Sequence, residues 1–249
     1  MRALSKIFVI AMFVATSVGC GGGSEDSRPG PLGKRFDDMH IAQVAMDQKQ
    51  AMLAAQQDWS VSKAENAKAE ADYNQTTQQL TVVRNDRDKA KLQVSSALSN
   101  KKSAEASSDT NKMNAAQKEL RGAELSVKAA DARIRYYEAY RAYLKRHWRF
   151  TEENMFWRES QYELAKAQLA QKNNIAPKGI TYDSFPKQEA ERNKRAQSAK
   201  GKVDSEKSRA TSARETWIKA QQTADQATGQ GSTFPDPMLS TVPPTTTSN

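Results

Sequence analysis

The sequence predicts an all-α fold: an elongated antiparallel coiled-coil hairpin with a third helix packing on its base and a disordered tail. Three observations carry this reading. From Arg35 to Ala176 there is no proline and a single glycine, Gly122, a run that is hard to accommodate except as helix. Within it, apolar residues recur at alternating steps of three and four, the seam by which one long helix packs on another. Only 37% of the 249 residues are apolar, too few for a thick core but enough for narrow seams.

Residues 1–19 read as a leader to be removed. Arg2 and Lys6 precede an apolar run from Ile7 to Ala15, and Ser17, Val18 and Gly19 precede Cys20, the only cysteine of the chain. A cationic start, an apolar run of this length and small residues before a cut describe a secretory signal, too short to span a bilayer in the mature protein. Ser17-Val18-Gly19-Cys20 resembles the lipobox of bacterial lipoproteins, with Ser17 where that box most often has Leu. The resemblance implies cleavage before Cys20 and acylation of Cys20, a covalent lipid being the only cofactor-like group expected. Gly21, in place of the Asp that commonly retains lipoproteins in the inner membrane, implies the cell envelope side of an outer membrane, facing the periplasm. Residues 20–34, rich in Gly, Pro and polar residues, are expected to be a flexible linker on which the rod stands off the membrane.

Helix one is expected over 35–106, with its seam running from Ile41 through Trp59, Tyr73, Leu80 and Val83 to Ala104; thirteen of nineteen positions are apolar. A second seam, from Met113 through Val127, Tyr137, Leu144 and Tyr162 to Leu169, has fourteen of seventeen. The two are out of phase across Ser107-Ser108-Asp109-Thr110-Asn111, residues that favour turns and helix caps. A hairpin turn is therefore predicted at 107–112, with helix two over 113–173. One continuous helix ~210 Å long with a stutter is the alternative.

Asn, Pro and Gly in 174–185 end helix two, and Asp183 or Ser184 can cap a third helix over 186–228, whose seam is mostly alanine. Residues 229–249 have the Pro, Gly, Ser and Thr content of a disordered tail. Folded this way, helix two lies between the other two, with Trp59 near Met155 and Trp217 near Tyr137 to Tyr140.

Removing Arg2 and Lys6 from the 38 Lys and Arg leaves 36 against 29 Asp and Glu, a net charge of +7 for the mature chain. Behind a secretion signal the anions within reach are lipid headgroups and cell-wall groups rather than nucleic acid. The stretch 133–150 concentrates this charge: Arg133, Arg135, Arg141, Lys145, Arg146 and Arg149 stand among tyrosines and tryptophan against one acid, Glu138. Ile134, Tyr137, Leu144 and Trp148 belong to the seam, so the cations, with Tyr136 and Tyr140, are expected outside as a surface for anions. His40 and His147, the only histidines, lie on different predicted helices, and no phosphate loop or nucleophile constellation is present. The reading is a non-enzymatic, membrane-anchored lipoprotein with a scaffolding or docking role in the cell envelope. Its expected partners are the membrane, a helical protein or its own copies, and peptidoglycan or anionic headgroups. The hairpin is also similar to those of efflux membrane-fusion proteins, and the basic helices to a periplasmic holdase chaperone. Both families carry β-domains for which this sequence has no strand-rich segment.

Overall fold

The computed structural model describes residues 28–239, and among them every regular element is helical. Helix α1 spans Gln50–Ala106, α2 Thr110–Lys172 and α3 Ser184–Thr228. At ~1.5 Å per residue α2 is about 95 Å long.

α1 begins fifteen residues later than the expected start at 35. Residues 35–49 instead make two short 3-10 turns, Asp38–Ile41 and Met46–Lys49, separated by extended backbone at Ala45. The physical cause is burial: Phe36 and Ile41 are 1% and 3% exposed in the cluster at the base. A straight helix would have carried both away from it. The side chain of Asp37 caps the first turn by accepting from the Met39 N–H at 2.9 Å.

The chain reverses where the two seams lose phase. Ser108 takes a positive φ of 52°, and Asp109 accepts from the N–H groups of Asn111 and Lys112 at 2.9 and 3.2 Å, capping α2 three residues earlier than expected. Contacts then run in opposite directions along the two helices: Asn100 with Glu119, Arg84 with Glu138, Asn66 with Thr151, and Trp59 stacked on Tyr162 at 5.7 Å. Trp59 thus lies one heptad from the position expected beside Met155. α3 runs back along α2 in turn, Glu189 meeting Trp157, Arg195 meeting Glu153 and Trp217 stacking on Tyr136 at 5.4 Å.

α3 starts at Ser184 with Pro186 in its first turn, where a missing N–H costs no helical bond. It ends at Gly229, whose φ of 70° is the left-handed cap that glycine adopts without strain. Its last turn lies on Gly122, where a Cβ would stand 3.1 Å from Thr228 Cγ2. The only glycine of the long run therefore marks where the third helix stops, and α1 and α2 continue alone to the tip.

Both ends of the body depart from the expected linker and tail. Residues 28–34 are packed along α2 and α3 from the middle of α2 towards the base: Leu32 is buried, Arg192 donates to the carbonyls of Gly30 and Pro31, and Lys34 exchanges two hydrogen bonds with Gln188. Residues 230–239 fold back into the groove floored by α2, where Asp236, Pro235 and Pro237 accept from the hydroxyls of Tyr136, Tyr137 and Tyr140. Composition alone described these segments as disordered; three buried phenols in need of acceptors draw the second one in. The rest of the predicted tail and linker lies outside the described residues.

Candidate functional site

Helix α2 organises the charged surfaces because it is packed on three sides: by α1, by α3, and by the N-terminal strap of residues 28–41. Of the cations predicted for an anion-binding face, the structure keeps some outside and takes one in. Arg133 is 4% exposed, donates to Asp86 of α1 at 2.8 Å and lies 4.0 Å from the Phe234 ring of the C-terminal segment. Its Nε has no hydrogen-bond partner, and it borders a half-open cavity of about 770 Å³ walled by Ala90, Ala97, Gly122, Ala123 and Thr228. Arg133 is thus a structural cation of the interior.

Tyr136 and Tyr140, expected outside, are 0% and 3% exposed. They belong to a row of rings that continues through Tyr143, His147 and Phe150 with centroids 5.8 to 6.5 Å apart. Burial pushes the His147 imidazole below its ordinary value, the charges of Asp72, Glu65, Lys207 and Lys68 acting as smaller influences.

Arg135 and Lys145 are exposed and Arg141 is half-exposed; among the described residues no carboxylate pairs with any of the three. Arg149 holds Glu152 at 2.7 Å. Arg146 is partly buried beside it. The acids of this outer face are engaged: Glu138 with Arg84, Asp131 with Arg87, and Glu152 with both Arg149 and Arg28. What remains uncompensated is positive.

No family model, curated protein or solved structure matches this chain.

Its surfaces therefore have to be read from their own chemistry. Cys20 lies outside the described residues. No described helix is long and apolar enough to cross a membrane, and no three His, Cys, Asp or Glu side chains among the described residues gather as a metal-ion site.

Sequence reasoning missed the charged cluster that ties the strap to α2. Lys166 is 4% exposed, and its ammonium donates to Phe36 O at 2.7 Å, Asp38 Oδ1 at 2.9 Å and Glu163 Oε1 at 2.9 Å, satisfying all three of its protons. Glu163 in turn accepts the Phe36 N–H, and Glu159 accepts from Arg35 at 2.7 Å. The available signal was the row Glu152, Glu159, Glu163 and Lys166 at helical spacing, charges recurring on one face just where cluster-forming rings stand beside them.

Burial disfavours the charge on Lys166, but hydrogen bonds to Glu163 and Asp38 outweigh it and raise its pKa above 10.5. Burial likewise raises the phenols of Tyr136, Tyr137, Tyr143 and Tyr162, that of Tyr136 helped by its bond to Asp236. Every one of these groups holds its proton more tightly folded than unfolded. Their stabilisation is complete below pH 10, the ordinary tyrosine value, and is lost as pH rises through the folded values. Urea denaturation followed by circular dichroism is expected to show stability falling steeply above that pH. A flat profile across the tyrosine range would mean that these phenols are open to water.

Proposed function

We propose that this protein is a membrane-anchored periplasmic lipoprotein whose coiled-coil hairpin serves a scaffolding or docking role in the cell envelope, and that it is not an enzyme. The observation that carries the reading is Ser17-Val18-Gly19-Cys20 placed directly behind the cationic leader and apolar run. Acylation at Cys20 supplies more than one chain, each buried methylene contributing roughly 0.8 kcal/mol, enough for stable anchoring. The helical body supports a mechanical role: α1 and α2 extend as a pair beyond the end of α3 to an exposed turn at Ser108. That tip is the natural point for a helical partner or a second copy, and a photo-crosslinker at Ser108 identifies what it meets.

The anchor is tested by Cys20→Ser. The unchanged protein is expected to incorporate labelled palmitate and to sediment with membranes; the variant is expected to lose the label and to appear in the aqueous fraction or remain uncleaved. Equal labelling of both proteins would remove the lipoprotein reading.

A further inference from the structure

The end of the N-terminal strap stands beside the uncompensated cations. The strap follows α2 from its middle towards its C-terminus, with Arg28 over Trp148, Arg35 on Glu159, and Phe36 on Glu163. Arg28 Nε also meets Glu152 Oε1 at 3.3 Å. Arg28, the first described residue, stands midway along α2 and not at either end of it. Arg141, Lys145, Trp148 and Glu152 form one row of α2 at steps of three and four. Arg28 and the cations therefore share a face, with Lys145 about one turn and Arg141 about two turns from Trp148. Arg135 lies about one to two turns further on, also exposed.

Counting residues sets the reach of the tether. Cys20 precedes Arg28 by eight positions, and a fully extended chain spans at most about 3.3–3.6 Å per residue. An acylated Cys20 thus holds Arg28 within roughly 30 Å of the lipid, and nearer for any less extended path. The body, about three times as long as this tether, is held by its middle.

Resting on the acylation of Cys20 proposed above, we infer that the anchored protein lies side-on, the outer face of α2 with Arg135, Arg141 and Lys145 against the anionic headgroups of the bilayer. The lipid and the cations are two signals on one face, and the second orients what the first attaches. The aromatic row, and Lys68 and Lys207, whose charges reach His147 from α1 and α3, belong to the groove side of α2. That groove, also taken by residues 230–239, faces away from the lipid and is left for partners.

The test uses acylated protein in vesicles, where the thiol of Cys20 is blocked and a new cysteine is the one free thiol. A fluorophore is placed at Ala142→Cys on the outer face or at Ser208→Cys, an exposed position of α3, with an energy acceptor on the lipid headgroups. Transfer is expected to be strong from Ala142→Cys in phosphatidylglycerol vesicles, weak in phosphatidylcholine vesicles, and weak from Ser208→Cys in both. In the unacylated Cys20→Ser chain, combining Arg135→Gln, Arg141→Gln and Lys145→Gln is expected to weaken binding to phosphatidylglycerol vesicles about a hundredfold, at about fivefold per cation. Neutralising Lys68, Lys200 and Lys207 instead is expected to change it far less, circular dichroism checking that both triple variants keep their helices. Equal transfer from the two sites, or equal loss in the two triple variants, overturns the side-on placement and leaves the anchor standing. A wild-type protein that does not float with vesicles at all overturns the anchor itself.

Discussion

Tyr136→Ala is expected to cost about 3–5 kcal/mol of stability, the range for removing a large aromatic side chain from a packed core. Tyr136 is fully buried; it stacks on Trp217 at 5.4 Å with the rings 8° from parallel and meets the edge of Tyr137 at 5.5 Å. Its hydroxyl donates to Asp236 Oδ1 at 2.6 Å and accepts the Met238 N–H at 3.3 Å. One side chain therefore joins α2, α3 and the C-terminal segment, and Asp236 extends the junction to Arg214 of α3. Removing the ring opens a cavity and frees the segment together. Tyr136→Phe keeps the stack and loses the hydrogen bonds alone, which is expected to cost about 2 kcal/mol because the acceptor is charged. Urea denaturation of the two variants measures the difference, and limited proteolysis reports whether residues 230–239 have been released. Equal destabilisation by the two would mean that the ring contributes little and the clasp is wholly polar.

The second large effect is expected at Lys166. Lys166→Ala leaves Glu163, whose side chain is 5% exposed, without its cation. Stranding one member of a buried ion pair costs about 3–5 kcal/mol. The Phe36 N–H still reaches Glu163, which places the expectation at the lower end of that range. The loss should be local in its first consequence: Asp38, the Phe36 carbonyl and the strap lose their hold on α2 before the helices separate. Proteolysis between Arg28 and Arg35 is therefore expected at denaturant concentrations where helix content is unchanged. Pairing Lys166→Met with Glu163→Gln should recover most of the loss, because a neutral amide oxygen still accepts from Phe36 and neither position keeps an unpaired buried charge. Were the double variant no better than Lys166→Ala, the cluster would be acting through packing and not through charge.

Much of the helical skeleton was legible because it depends on short-range rules. Missing prolines between 35 and 176, the phase slip at 107–111 and the cap-forming residues there, Asp109 among them, each act through the few residues around them. The seam residues Leu80, Val83, Tyr137 and Leu144 are buried where the three- and four-residue steps placed them. The seam at Ile41 and Ala45 had the same spacing and no helix. Ile41 is buried by a turn and a strap while Ala45 is exposed, and periodicity cannot tell one form of burial from another.

The charged face was only partly legible for a related reason. On one helix surface, Arg133 and Arg135 look alike in sequence, yet a shift of two residues, about 200° around the helix, separates a guanidinium held by Asp86 from one in water. Which direction was inward depended on where α1, α3 and the returning C-terminal segment lay. The same holds for Tyr136 and Tyr140, whose hydroxyls needed acceptors from residues about a hundred positions away.

By itself the sequence determined that the chain is built from long helices, where they turn back, which residues form most of the seams, and that its only cysteine follows an apolar run. Those properties follow from backbone propensity and local spacing. The tertiary structure alone decided that the strap and the C-terminal segment close the two grooves of α2, which cations remain in water, and that Arg28 lies against the middle of α2. Such outcomes depend on satisfying buried donors and charges with partners distant in sequence, and no local pattern names a distant partner.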